Sequence, residues 1–586
     1  MNVDISTAWL LLDPAVPKLK SMTTEAPGHV VSEEGLVPFD EDSVRRYRAA
    51  GVWSGKTLAE ELAAAATVYA DRTGVIASGH AYTFGEIFAW ADRFAVGLRD
   101  GAHVHTGDAV MFQMGNVIET VVAYLGCVKL GVRPVCTLPQ HGTREISLLA
   151  DHVGASCLII QADYGRGQLI EQAQHLIAGK LETVVVARGP SSSPMLSFDA
   201  LCALGAEPGV DPVIPVHVDP LTPAVFQLSG GTTGLPKVAA RLHEEYAYNA
   251  LAWAKAMDYT SESILLYPLP LMHNAGVELA LQPAILTGAT LVLAESADID
   301  VILDLVELHR PDVLPLVPPA VAIRLLDAAR SATTDLSCIR DFVVGGQRLA
   351  VEVAERLRDE LNIRVRQMFG MAEGMFLLTP RDATEYVRHH TVGAPISPFD
   401  EIRILEPGGD DNVAVGMVGE FAARGPYTIR GYYRADAHNA SSFTADGFYR
   451  TGDLARRHDT PEGSFYSIDG RIKDVINRGV EKIHAEEVEE LIVRHSDVLT
   501  AALVAMPDAV LGEKACAYLV MEEGAEPLTV ATLAEHLLDR GLAKYKLPER
   551  VEILDALPVS NVGKVAKKDL RADIERKLSE ETGVVS

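Results

Sequence analysis

The chain reads as an α/β protein: a large N-terminal domain of layered α/β subdomains with a β-rich portion behind them, and a small α+β domain at the C-terminal end. Three observations carry that reading. Helix-period and strand-length apolar segments alternate from about Leu58, a stretch richer in strands follows Gly393, and the texture changes again after about Asp469. At 586 residues the chain exceeds one core, and roughly one domain per 150 residues gives three or four structural units.

The elements follow in order. Residues 1–38 mix Pro, Ser, Thr and Glu without periodicity and read as a loosely ordered leader, within which Met22 offers an alternative start. Thr83-Phe84-Gly85-Glu86 has the form of a capping box, and Ile87, Ala91, Phe94, Ala95 and Leu98 then share one helical face. Val110–Met114 is a buried strand, Val117–Leu130 a helix, and Pro134–Leu138 and Cys157–Gln161 further strands of a largely parallel sheet. A second α/β stretch spans about Pro223 to Gly393, with strands at Ala289–Leu293, Val313–Val317 and Phe342–Gly345. The β-rich portion completes a domain over 39–472. The segment 473–586 contains helices at Ala485–Arg494 and Val530–Leu542 and strands near Thr500–Met506, Ala515–Met521 and Val551–Leu554, enough to fold alone. The joint between the two domains falls in Gly470-Arg471-Ile472-Lys473-Asp474.

Composition excludes several classes. With 48% hydrophobic and 23% charged residues the chain has ordinary globular content, and no apolar stretch approaches the roughly 20 residues that span a bilayer. Ala8–Leu12 is too short for a signal peptide and lacks a basic leader. Six cysteines without a C-x-x-C pair imply neither a zinc site nor a disulfide framework and fit a cytoplasmic protein. A net charge of −28 argues against nucleic acid and for small-molecule or protein partners.

The chemistry concentrates in loops. Leu228-Ser229-Gly230-Gly231-Thr232-Thr233-Gly234-Leu235-Pro236-Lys237 follows an apolar run and combines glycines, hydroxyls and a lysine, a composition that cradles phosphate oxygens. It lacks the Gly-Lys-Ser/Thr of a P-loop, so it suggests ATP without simple hydrolysis; on loop chemistry alone it also suits a surface turn. Glu373 emerges past the alternating segment Ile363–Met368, where a carboxylate can hold magnesium against phosphates, although an isolated Glu there is more often solvated. Asp453, in Tyr449-Arg450-Thr451-Gly452-Asp453, suits ribose hydroxyls or a plain Asp turn. Lys564 lies in a Gly/Ser/Asn loop before a basic cluster of Lys567, Lys568 and Arg571. His273 by itself reads as a satisfied polar residue.

The order and spacing of these motifs, together with Gly345-Gly346, Gly370-Met371-Ala372-Glu373 and Gly470-Arg471, resemble the adenylate-forming superfamily of acyl- and aryl-CoA synthetases, adenylation domains and luciferases, over about residues 40–575. Arg424-Gly425-Pro426-Tyr427-Thr428-Ile429-Arg430-Gly431-Tyr432-Tyr433 and Ile476-Asn477-Arg478-Gly479 resemble the stand-alone 2,3-dihydroxybenzoate and salicylate ligases most. The resemblance implies a carboxylate attacking the ATP α-phosphate to give acyl-AMP and pyrophosphate, and then a phosphopantetheine thiol, on coenzyme A or an acyl or aryl carrier protein, displacing AMP.

It also implies roles. Lys564 bridges substrate carboxylate and α-phosphate, Ser229 to Lys237 hold the β- and γ-phosphates, Glu373 holds Mg2+, and Asp453 with Arg471 holds the ribose. His273 joins Lys564 and Glu373 among the catalytic candidates. Gly346, Gln347, Gly370, Met371 and Ala372 flank the nucleotide, while His273, Asn274, Ala275, Leu279, Gly345 and Met368 line the acyl pocket. Lys473 occupies the hinge about which the small, mobile domain turns. Gly479-Val480 departs from the usual glycine pair at the pantetheine tunnel, and the valine narrows it. Asn274 matches the contact to an ortho hydroxyl. Ala275, Leu279 and Met368 differ from their counterparts and reshape the cavity towards a methylated or bicyclic acid, a substituted salicylate or hydroxynaphthoate, and away from a catechol such as 2,3-dihydroxybenzoate. The basic cluster offers either a docking patch for an acidic carrier protein or a site for the phosphates of coenzyme A. The alternatives are an aliphatic or fatty acyl-CoA synthetase, in whose pocket Asn274 would stand unpaired, and a non-catalytic nucleotide-binding regulator.

Overall fold

The structure, a computed structural model, describes residues 33–177, 181–210, 218–229, 236–329, 334–347, 349–478, 481–508, 511–540, 542–559 and 565–582. Among these residues the strands form sheets of seven, nine, four and five.

In the seven-stranded sheet the order is Leu196–Ser197, Thr183–Ala187, Ala155–Gln161, Ala109–Gln113, Arg133–Val135, Pro223–Ser229 and Lys237–Leu242. Every neighbouring pair is parallel except the final hairpin. The nine-stranded sheet is parallel through its middle, from Val365–Gly370 through Asp341–Val344, Val313–Val317, Ile264–Tyr267 and Thr290–Leu293 to Thr73–Ala77, and antiparallel at both edges.

These sheets correct the division of the α/β part at about Pro223. Pro223–Ser229 and Lys237–Leu242 complete the first sheet, through the pairing of Val135 with Phe226, whereas Thr73–Ala77 crosses to the second, Val75 pairing with Leu291. Apolar patterning reports which residues are buried, not which backbone edge they complete, so chain order cannot assign a strand to a sheet.

Between the sheets lies a shared core that includes faces of helices Phe84–Asp100, Ile118–Leu130 and His243–Ala256. The first begins as its sequence predicts: Thr83 Oγ1 accepts from Glu86 N at 3.2 Å and Glu86 Oε2 accepts from Thr83 N at 2.8 Å. Its predicted face, Ile87 to Leu98, is at most 1% exposed at each of the five positions.

The β-rich portion is an antiparallel sheet of Glu401–Leu405, Val418–Arg424, Tyr449–Thr460 and Gly463–Arg471. The five-stranded sheet takes all its strands from residues 475–553 and has its own core around Ile476, Val488, Leu503, Ala517 and Leu537. Residues 33–38, read in the sequence as leader, are tied to the large unit: Glu33 pairs with Arg133 at 2.7 Å and Val37 packs on Gly431.

Candidate functional site

The candidate residues gather where parallel strands end. Gly345 follows Asp341–Val344, the turn bearing Glu373 follows Val365–Gly370, and His273-Asn274 follows Ile264–Tyr267 after a short loop, so all lie outside carboxyl ends of one sheet. Gly346, Gln347 and Gly370 are exposed there, and Met371 and Ala372 half-buried.

Glu373 is held from both sides. Gly374, at φ +97°, is a position for glycine alone, because a Cβ would sit 1.8 Å from the Tyr427 carbonyl oxygen. The resulting turn lets the Glu373 carbonyl accept from Ile429 N at 2.9 Å. Its side chain is 6% exposed, and Oε1 accepts from the hydroxyls of Tyr432 and, at 3.3 Å, Tyr449. Burial, then the Glu373 charge, raises the Tyr432 phenol above its ordinary value, so it stays a donor. Lys237 Nζ lies 4.8 Å over the Tyr432 ring and 2.7 Å from His438 Nε2. Burial lowers the lysine, with Glu373 opposing; burial and then Lys237 lower His438, which suits a neutral imidazole accepting from the ammonium. Buried Ser229 reaches the same Tyr432 hydroxyl. Gly230, Gly231, Thr232, Thr233, Gly234, Val480 and Lys564 lie outside the described residues.

No cluster of three or more His, Cys, Asp or Glu suited to a metal occurs among the described residues. The single Glu373 carboxylate is compatible with magnesium, which keeps several waters and takes one or two carboxylates with substrate phosphates.

Asp453 stands within a strand rather than in a turn, opposite Arg471 in register on the next strand, with Oδ1 2.9 Å from Arg471 Nε. The Asp453 charge raises the Arg471 guanidinium above its ordinary value, so the arginine stays charged. The chain then makes one 3-10 turn, Ile472–Asp474, with Lys473 exposed at its centre, before entering the five-stranded sheet. Here the structure corrects the proposed docking patch. Lys567 is committed to Glu489 at 2.7 Å and Arg571 to Asp474 at 2.9 Å, which leaves only Lys568 of the three exposed.

Around Asn274 lies a buried polar network that the sequence reading missed apart from Asn274 itself. Asn274 is 4% exposed, and its Oδ1 accepts from Arg241 Nη1 at 3.3 Å and from the Tyr246 hydroxyl at 3.2 Å. Arg241, at 0% exposure, forks onto Glu245 at 3.0 and 2.9 Å, and also donates to Asn249 and to the Ala372 and Tyr427 carbonyls. Despite its burial, Glu245 keeps the guanidinium charged. One cation therefore joins the Asn274 turn to the Glu373 turn. His273 caps this short helix, Nδ1 accepting from Ala275 N at 3.3 Å. Ala275, Leu279 and Met368 are buried in the shared core, and the Met368 Sδ lies 2.6 Å from where a Cβ on Gly345 would be, so glycine is what lets the sulfur pack there. After Asn274–Gly276 the helix widens into a π turn, Val277–Leu281, a distortion frequent at functional sites. The missed signal was the spacing Arg241-Glu245-Asn249, every fourth residue polar from the end of the strand Lys237–Leu242 into a helix that buries its charges.

Comparison with known proteins defines the class. The model of the AMP-binding enzyme family matches residues 62–433, and that of the AMP-binding enzyme C-terminal domain matches 487–564. The chain belongs to this family of adenylate-forming enzymes. It is 36% identical over 551 residues to the 2,3-dihydroxybenzoate-AMP ligase of Bacillus subtilis strain 168, covering 93% of this chain and 98% of the relative. It is 38% identical over 551 residues to the 2-hydroxy-7-methoxy-5-methyl-1-naphthoate–CoA ligase of Streptomyces carzinostaticus, covering 92% and 97%. Among solved structures, that of apo MbtA from Mycobacterium smegmatis superposes with a TM-score of 0.70 at 35% identity, covering 92% of this chain and 98% of that one.

Proposed function

We propose that this enzyme converts an ortho-hydroxylated aryl carboxylic acid, of the substituted salicylate or hydroxynaphthoate type, to its aryl-AMP and passes the aryl group to a phosphopantetheine thiol. The observation that carries the acid's identity is Asn274: a buried amide, fixed by Arg241 and Tyr246, set among the apolar Ala275, Leu279 and Met368. An aliphatic tail would leave such a group facing methylenes, at a cost of about 1–3 kcal/mol, whereas an ortho hydroxyl pairs with it. The relatives' own substrates, a dihydroxybenzoate and a hydroxynaphthoate, agree with that choice.

The catalytic problem is to bring a carboxylate onto a polyanion. Lys237 and Ser229 supply a cation and a hydroxyl on the phosphate side, and Asp453 with Arg471 presents an acceptor and a cation to the ribose. Magnesium bound at Glu373 would neutralise the departing pyrophosphate. Lys564 brings the second cation to the reacting carboxylate, and rotation about Lys473 withdraws it so that the thiol can enter. Mixing the enzyme with ATP, Mg2+ and either salicylate or benzoate, quenching, and identifying nucleotides by mass tests the reading: salicyl-AMP should form at least about tenfold faster than benzoyl-AMP. Equal rates would remove the case for an ortho hydroxyl.

A further inference from the structure

Glu278 is 0% exposed, and neither oxygen of its carboxyl group has a hydrogen-bond partner among the described residues. Buried carboxyl groups almost always find partners, so this one calls for an account. It sits on the π turn four residues after Asn274, which places the two side chains on one face of the helix, a turn apart. The same neighbours border both: Arg241 and Tyr246 bond Asn274, and both interact electrostatically with Glu278. Neither completes it within hydrogen-bonding geometry. Arg241 forks onto Glu245, and the one Tyr246 hydroxyl proton, which also acts on Glu278, is directed to Asn274 at 3.2 Å. Burial pushes Glu278 well above the usual carboxylate range, with Arg241 and a Tyr246 hydrogen bond opposing and the Glu245 charge adding, which favours its neutral form. One turn further, Gln282 donates to the Tyr124 hydroxyl at 2.8 Å while its own Oε1, also buried, has no partner. Beyond Asn274 the helix thus carries three oxygens without partners on two side chains. An amide oxygen can only accept, and a neutral carboxyl can both accept and donate. The group that satisfies them together is a hydrogen-bond donor.

We propose that Glu278, with Gln282, forms the far end of the acyl pocket and selects a 2-hydroxyaryl acid bearing a second donor, an amino or hydroxyl group on the ring remote from the carboxylate. The inference rests on the aryl acid reading above and changes its detail: the walls at Ala275, Leu279 and Met368 are apolar, but the end is polar. A purely methylated ring would leave Glu278 and Gln282 unpaired.

The test is acid-dependent exchange of labelled pyrophosphate into ATP, with kcat/KM measured for salicylate and for pairs of salicylates carrying amino, hydroxyl or methyl at the same ring position. For at least one position the wild type should favour the amino or hydroxyl member over the methyl member by at least about tenfold. Glu278→Leu should bring that ratio to one or below, and Glu278→Gln, whose amide oxygen still accepts, should keep part of it. Should Glu278→Leu fail to fold, as a thermal melt would reveal, the wild-type ratios and Glu278→Gln still decide. A methyl preference at every position in the wild type, or a ratio that persists in Glu278→Leu, overturns the role of Glu278 while leaving aryl acid activation standing. Exchange with a medium-chain fatty acid and none with any salicylate would overturn both.

Discussion

The nucleotide side and the acyl side of this site handle charge in opposite ways. Glu373 on its turn and Asp453 within its strand are each 6% exposed and each held by a neighbouring element: Tyr432 and Tyr449 hold one acid, Arg471 the other. Around Asn274, charge is buried completely and neutralised internally, Arg241 against Glu245, with a further acid whose neutral form burial favours. In the reading proposed above, the first arrangement meets the nucleotide and the second reads neutral polar groups of the acid. Buried polar groups discriminate strongly because leaving them unpaired is costly, whereas Glu373 and Asp453, carboxylates only 6% exposed, repel a phosphate unless a cation comes between.

Breaking the buried side should have the largest effect. Arg241→Met strands the Glu245 carboxylate and frees Asn274, and should cost about 3–5 kcal/mol of stability, read as a lowered urea midpoint, along with the selectivity for ortho hydroxyls. A change within about 1 kcal/mol would mean the network contributes little. Next comes Lys564, proposed above as the cation at the reacting carboxylate: Lys564→Ala should slow adenylate formation about 10²–10³-fold while sparing thiol transfer from supplied aryl-AMP. Equal loss of both half-reactions would contradict its assigned place. On the nucleotide side, Tyr432→Phe removes a donor that orients Glu373 and should raise the magnesium concentration for half-maximal exchange about tenfold.

The smallest effect concerns the joint between the units. Glu486 lines a cleft with Asp469, Arg471, Asp474 and His484, and burial raises it from 4.5 to about 7, with Lys567 opposing and Glu489, Asp453 and Asp474 adding. The folded state therefore keeps this proton to higher pH than the unfolded chain, so the contribution of Glu486 to stability is full below about pH 4.5 and declines as pH rises to about 7. Melting curves across that range should be flatter for Glu486→Gln than for the wild type; parallel curves would remove Glu486 from the account.

The same contrast explains how much of the molecule was legible beforehand. The capping box at Thr83, the strand Val313–Val317 and the turn after Val365–Gly370 carried local signals, and motif order led to the family. Sheet membership was not legible, because Pro223–Ser229 joins Arg133–Val135 through backbone pairing that no local pattern encodes. Nor was the acyl network: Arg241, Tyr246 and Glu278 look like ordinary polar residues of helical sequence until the fold buries them around Asn274. Lys567 and Arg571 failed the other way, since a basic run looks free until Glu489 and Asp474 are brought against it.

The most direct test of aryl acid activation is pyrophosphate exchange into ATP over salicylate, 6-methylsalicylate, 2,3-dihydroxybenzoate, hydroxynaphthoates, benzoate and a medium-chain fatty acid. The account predicts exchange confined to the hydroxyaryl acids, with benzoate at least about tenfold weaker. Exchange supported by the fatty acid alone would contradict it.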